Sequence, residues 1–132
     1  MEATPIGYQE GRIEEARFVL RADQQSDALE VLLTLARDGF GYDLSDRGLT
    51  DVDGFLRLFA IDTVRDGDDI VGLRFEDRLL LELEEVFCTL GAYVEAGSYV
   101  VFHAGSGARW RYAFDGERAT NLDEAPAPWY GR

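Results

Sequence analysis

The chain has 132 residues, with 26 acidic residues, 13 arginines, no lysine and one histidine, and its formal net charge at pH 7 is −13. So negative a surface repels phosphate backbones and anionic lipids, which excludes nucleic acid and membranes as expected partners. With 46% hydrophobic residues the chain can bury a core, and we expect one domain over 1–132 with irregular ends at 1–12 and 123–132.

The cysteine content and the N-terminus indicate the compartment. Cys88 is the only cysteine, so no internal disulfide can form, and we expect it to be a small buried hydrophobic residue. The first twenty residues lack the basic and apolar regions of a secretory signal peptide. We therefore expect a cytoplasmic protein, and the exclusive use of arginine resembles actinobacterial or haloarchaeal composition.

The first third of the chain predicts a strand and a helix. Residues 16–21 form a short strand candidate. Ser26 can cap a helix whose apolar positions recur at helical spacing over 28–36, and Gly39 is its expected end.

A second, shorter helix is predicted after a loop over 40–48. Thr50 and Asp53 form a capping-box pattern, and apolar residues follow at helical spacing up to Phe59.

The rest of the chain predicts two hairpins separated by a long helix. Asp66-Gly67 suits the tight turn of the first hairpin, and glycines at 105 and 107 suit that of the second. The predicted segments are strands at 61–65 and 70–75, a helix at 79–96, strands at 98–103 and 108–114, and a possible last strand at 118–122.

This order is β-α-α-β-β-α-β-β, with a possible last β. It predicts an α+β protein in which about three helices pack on one face of an antiparallel sheet. Without the second helix the order is that of a ferredoxin-like split unit, so a ferredoxin-like topology is one possibility.

The second hairpin carries the first candidate binding residues. We expect His103 to pair with Ala108. That register places Tyr99, Val101, Trp110 and Tyr112 on the core face, and Val100, Phe102, Arg109 and Arg111 on the other. Arginines beside apolar residues suit anion recognition or a protein interface, or else they pair with acids on a neighbouring element.

His103 is the first candidate for acid–base catalysis or metal binding, but no nucleophile motif or cysteine pair accompanies it, and we expect a strand-end histidine without a chemical role. The acidic segments 43–53 and 66–69 do not match the spacing of a calcium loop, and turn chemistry and helix capping account for them. We therefore expect no metal and no cofactor.

Net charge is concentrated in the middle of the chain, where it sums to −5 over residues 23–60 and −6 over 61–90. Such a surface attracts basic partners, and Asp43, Asp46 and Asp51 are the acids that we expect to meet one.

The C-terminal half resembles a recurring small bacterial domain over about residues 60–118. The matching residues are Gly97-Ser98-Tyr99 at the start of a strand and Trp110-Arg111-Tyr112 on the returning strand. The intervening segment 103–107 departs from the more acidic turn of that pattern. The resemblance implies a fold and no assigned activity, and small acidic α+β proteins of this kind also resemble bacterial immunity or inhibitor proteins.

These features together predict a non-catalytic cytoplasmic binding protein, a monomer or weak homodimer, that contacts another protein through an acidic surface. The alternative is a small hydrolase or ligand-binding enzyme that uses His103 with nearby acids.

Overall fold

The main layer of the protein is a five-stranded antiparallel sheet with strand order β4-β1-β5-β6-β7. The computed structural model describes residues 9–123. Its strands are β1 (Gln9–Arg17), β2 (Asp62–Asp66), β3 (Asp69–Arg74), β4 (Glu76–Leu79), β5 (Tyr99–Ala104), β6 (Arg109–Phe114) and β7 (Ala119–Asp123). Its helices are α1 (Ala22–Thr34), a π-helical turn (Leu35–Phe40), α2 (Val52–Arg57) and α3 (Glu82–Leu90). The α+β class with an antiparallel sheet and three α-helices is thereby confirmed.

The hairpin β2–β3 forms a separate two-stranded sheet. A ferredoxin-like sheet would include both strands, so that possibility is wrong. The reason is that β3 runs almost directly into β4, and together they follow one edge of β1. The amide of Ile13 donates to the carbonyl of Phe75 at 2.9 Å, and Leu20 and Ile70 exchange hydrogen bonds of 2.8 and 3.0 Å.

Several element boundaries differ from their predictions. β1 begins at Gln9 instead of residue 16, and the rest of the two ends predicted to be irregular lies outside the described residues. Residues 76–79 form β4, which was not predicted, and its last residue Leu79 was expected to begin a helix; pairing with β1 outweighs local preference. Helix α3 begins later than predicted and also ends earlier, spanning Glu82–Leu90.

Helix α1 starts four residues before the predicted cap Ser26. Its cap comes from a distant residue: the Asp69 carboxylate accepts a hydrogen bond of 2.8 Å from the amide of Ala22. Arg21 is held by Asp69 at 3.4 Å and by Glu95 at 2.7 Å. The start of the helix is therefore set by the β2–β3 hairpin and not by the local sequence.

Helix α3 covers the inward face of the main sheet. The Phe87 ring stacks on Tyr112 with a centroid distance of 4.9 Å and meets Phe102 edge-on at 5.8 Å. Gly91, the residue that follows α3, lies against the backbone of β7, where an added Cβ would be 2.4 Å from the amide nitrogen of Ala119. The helix and the edge strand are thus in backbone contact.

The register of the β5–β6 hairpin differs by one residue from the prediction. His103 pairs with Arg109 and not with Ala108, and Phe102 pairs with Trp110. A one-residue shift turns every side chain of one strand to the other face. Trp110 and Tyr112 face the core as expected, but Val100 and Phe102 accompany them there. The opposite face of β5 carries Tyr99, Val101 and His103.

Helix α2 ends in a Schellman motif whose left-handed position is occupied by alanine. The amide of Ile61 donates to the carbonyl of Leu56 at 3.1 Å, and that of Ala60 to Arg57 at 3.0 Å. Ala60 has a φ of 65°, the only positive value of a non-glycine residue among residues 9–123. A side chain in this conformation costs about 1 to 2 kcal/mol.

The Trp110 ring is fully buried and stacks on Phe102 at a centroid distance of 5.4 Å. We expect Trp110→Ala to lower the free energy of unfolding by about 3 to 5 kcal/mol, the usual cost of deleting a large buried aromatic side chain. Denaturant unfolding measures it, and Trp110→Phe, which keeps a ring against Phe102, should lose less. An unchanged unfolding midpoint for Trp110→Ala would contradict the inward orientation.

Ala60 is exposed, so its replacement changes backbone strain and little else. We expect Ala60→Gly to raise the free energy of unfolding by about 1 kcal/mol, because glycine adopts the left-handed conformation without steric cost. Ala60→Val should destabilise, since a β-branched residue is worse there than alanine. Thermal unfolding of both variants measures the effect, and opposite signs for the two changes are required.

Candidate functional site

The residues singled out from the sequence fall on two different surfaces. His103, Arg109 and Arg111 lie on the face of the main sheet turned away from α3, which we call the outer face. Asp43, Asp46 and Asp51 lie in the segment between the π-helical turn and α2. The outer face is built from alternate residues of three central strands: Arg12, Glu15, Arg17, Tyr99, Val101, His103, Arg109 and Arg111.

Two polar residues of the outer face are paired with acids of β1. The guanidinium Nε of Arg109 lies 3.0 Å from Glu14 Oε1, with both side chains well exposed. The Tyr99 hydroxyl donates to Glu15 at 2.6 Å, and this hydrogen bond to a carboxylate raises the pKa of Tyr99. Arg109 therefore pairs with an acid, one of the two alternatives for the arginines, and does so across β5 with a residue of β1.

Arg111 is in a different position. It pairs with Val101 on β5 and with Leu122 on β7, so apolar side chains flank it in its row of the sheet. The guanidinium Nε is buried and has no hydrogen-bond partner in the part of the chain that the structure describes. No carboxylate among residues 9–123 forms an ion pair with it.

His103 lies between two arginines in the sheet, since its partners are Arg12 on β1 and Arg109 on β6. It lines a small cavity of about 200 Å³ together with Glu10 and Glu76. Its Nδ1 atom is buried and makes no hydrogen bond to any of residues 9–123. A general acid or base needs an orienting partner, and within the described residues His103 has none.

The three predicted acids differ in the hydrogen bonds that their carboxylates accept. Asp43 accepts hydrogen bonds from the amide and hydroxyl of Ser45 at 3.1 and 2.7 Å, which lower the pKa of Asp43. Asp51, and not Thr50, is the cap of α2, with Oδ1 2.8 Å from the amide of Gly54. Asp46 is exposed and carries none of these structural bonds. Of the three, Asp46 is the acid whose charge is free for a partner.

Beside this acidic segment lies an apolar groove of about 520 Å³ that the sequence analysis did not identify. Its lining residues come from four separate parts of the chain: Ala36, Gly41, Tyr42, Asp43, Leu44, Arg47, Phe55, Leu58, Phe59 and Leu80. Tyr42 and Leu58 are 40% and 38% exposed, which is high for large apolar side chains. A concave apolar surface with a charged rim is the usual form of a binding site.

The π-helical turn builds one wall of the groove. It continues past the predicted stop at Gly39, and the chain leaves it at Gly41 with a φ of 75°. This turn brings the Phe40 ring to 6.4 Å from Phe59 and 5.5 Å from Tyr42. The Tyr42 hydroxyl then donates to Glu82 at 2.6 Å, which fixes the ring at the rim.

A cleft of about 680 Å³ opens between β1 and β3. β1 has a bulge between Ile13 and Glu15, and on either side of it the amides of Ile13 and Phe18 donate to the carbonyls of Phe75 and Val71. Charged residues of both signs line the cleft, among them Arg12, Arg74 and Asp62. It adjoins the outer face, with which it shares Arg12 and Glu15.

Other candidate chemistry is limited in the described residues. Cys88 is exposed on α3, so the expectation of a buried cysteine is wrong; burial of part of the side chain and the nearby Glu84 and Glu85 raise its pKa. Residues 9–123 contain no group of three His, Cys, Asp or Glu side chains placed to hold a metal ion. None of the helices in this range is long and apolar enough to cross a membrane.

Comparison with models of protein families, with curated proteins and with solved structures gave no significant match. Function is therefore inferred from the two surfaces themselves.

The different roles of Asp51 and Asp46 can be measured. We expect Asp51→Ala to lower the free energy of unfolding by about 1 kcal/mol, because it removes the hydrogen-bond acceptor at the N-terminus of α2. Asp46→Ala is the matched control and should change it by less than about 0.5 kcal/mol, as exposed substitutions usually do. Equal effects of the two changes in denaturant unfolding would show that the cap does not hold α2.

Proposed function

We propose that the protein is a non-catalytic binding protein of the cytoplasm, of the inhibitor, immunity or adaptor type. Its partner is another protein, which inserts a basic segment with an apolar side into the groove beside Asp43. The observation that carries this proposal is the groove itself, since exposed Tyr42 and Leu58 border a concavity next to an acidic loop.

Charge supports a basic partner. The segment that contains the groove residues and the acidic loop lies within residues 23–90, where nearly all of the net negative charge is found. Charge of one sign speeds the approach of an oppositely charged protein, and apolar contacts in the centre of an interface hold it there. Asp46 in the acidic loop thus speeds the approach of the partner, and Leu58 in the groove holds the bound partner in place.

Rigidity of the loop supports a preformed site. The Asp43 turn, the Asp51 cap and the bond between Tyr42 and Glu82 hold three points around the groove. A site that is ordered before binding loses less conformational entropy when a partner arrives.

The competing proposal, an enzyme that uses His103, has weaker support. A cavity of about 200 Å³ beside Glu10 and Glu76 is the observation in its favour. Against it, Nδ1 of His103 lacks the hydrogen bond that would orient a catalytic imidazole.

The test compares proteins captured from native lysate by the wild-type chain and by matched pairs of variants. Leu58→Gln removes an apolar contact from the groove, and Leu122→Gln makes the same change at a leucine of similar exposure, 42%, on β7. Asp46→Arg reverses a charge beside the groove, and Asp27→Arg makes the same reversal at an exposed position of α1.

We expect a partner that binds the wild type and both controls but is weakened at least about tenfold by Leu58→Gln, the effect of losing a central contact. Asp46→Arg should slow its association and flatten the dependence of the rate on salt. Quantitative mass spectrometry identifies the partner, and stopped-flow mixing with the purified partner measures the rates. A partner lost only with Arg109→Ala and Arg111→Ala would place binding on the outer face and contradict the proposal.

A further inference from the structure

Arg111 lies on the outer face and forms no ion pair with a carboxylate among residues 9–123, unlike Arg17 and Arg109 on the same face. Two acids of β1 on this side of the sheet are already engaged, because Glu14 pairs with Arg109 and Glu15 accepts from the Tyr99 hydroxyl. Its Nε–H is buried and finds no acceptor among residues 9–123. A buried donor of this kind costs free energy unless a partner accepts its hydrogen bond.

A second buried atom without a partner lies beside it. His103 and Arg111 occupy diagonal positions on the same face of β5 and β6, since His103 pairs with Arg109 and Arg111 pairs with Val101. Diagonal neighbours of a sheet have side chains about 7 to 8 Å apart at their origins, within reach of a long side chain. The Nδ1 atom of His103 is also buried and without a hydrogen bond. Arg111 Nε and His103 Nδ1 thus both lack a hydrogen bond among the described residues, and they belong to diagonal neighbours beside Val101, which is only 4% exposed.

The donors of this pair suit a carboxylate. The Nε–H and one terminal N–H of a guanidinium are parallel and match the two oxygens of a carboxylate. The Nδ1 of His103 can supply a third donor when it carries a proton. A phosphate dianion suits the site less well, because the whole chain repels a doubly charged ligand more strongly than a singly charged one.

We propose that the outer face holds a carboxylate-binding site formed by Arg111 and His103. Its ligand is either a small organic acid or an acidic side chain of another protein. The site is separate from the apolar groove and takes a ligand of the opposite charge, so it goes beyond the proposed function.

The first test uses the wild-type protein and the side-chain Nε–Hε signals of its arginines. We expect titration of the ¹⁵N-labelled protein with sodium acetate to shift the Arg111 signal along a saturating curve with Kd of about 1 to 10 mM, as one bidentate contact allows. Sodium chloride at equal ionic strength should leave that signal in place. An Arg111 signal that responds equally to both salts, or to neither, would overturn the proposal.

The second test distinguishes binding through the parallel N–H donors of Arg111 from attraction by positive charge in general. Arg111→Gln should weaken acetate binding, followed through the His103 ring signals, at least about tenfold, whereas Arg109→Gln, the same change one row away, should alter it less than about threefold. Arg111→Lys keeps the charge without the parallel donors and should also lose most of the affinity. Equal weakening of acetate binding by Arg109→Gln and Arg111→Gln would show that acetate responds to net charge alone, and it would overturn the proposal.

A third titration distinguishes the two sources of the carboxylate. An acetylated peptide with one central glutamate that binds at least about tenfold more tightly than acetate assigns the site to a protein side chain. Equal affinities assign it to a small acid. Failure of both ligands to move the Arg111 signal contradicts the proposal, and none of these results bears on Leu58 or the groove.

Discussion

The inward position of Phe102 is the contact on which the rest of the molecule depends. Its ring lies within 6 Å of Phe75, Phe87, Trp110 and Tyr112, so it joins the end of β3, helix α3 and strand β6 in one aromatic cluster. Moving the strand by one residue would place a valine there and leave all four rings without their common neighbour. The same contact decides the composition of the outer face, because whatever alternates with Phe102 along β5 must point away from the core.

A feature of the fold could be predicted where its sequence signal spans only a few neighbouring residues. Element order was readable because apolar spacing and turn residues act over a few positions, and the α+β class was confirmed. The β5–β6 register was not readable: both sets of alternate residues on β5, Tyr99 with Val101 and Val100 with Phe102, are largely apolar, so alternation does not identify the inner face. Strand β4 was missed because its charged residues 76–78 become a strand only through pairing with β1.

In the candidate sites too, features with a local sequence signal could be predicted, and features built by tertiary contacts could not. Acids that act on neighbouring amides could be recognised as turn and cap residues, and Asp51 was only one residue from the predicted cap Thr50. The apolar groove could not be predicted, because its walls join Ala36, Leu44 and Leu80 through the tertiary structure. Its one sequence signal was the apolar content of a loop that otherwise looked like a polar connection. Many acids prove to have structural tasks: Asp53, for example, accepts from Thr63 and Arg65 and so ties α2 to the hairpin.

The backbone contact at Gly91 restricts which residue homologues of this chain can carry at that position. Its φ of −55° is open to any residue, so conformation does not require glycine there. Close approach does, since a methyl group would also lie 2.7 Å from the carbonyl carbon of Arg118 and force α3 off the sheet. An exposed acid without a structural hydrogen bond, such as Asp46, can be exchanged at little cost, but a homologue that keeps this packing must keep a glycine one residue after α3. We therefore expect distant homologues of this chain to share that glycine, together with aromatic residues at 102, 110 and 112.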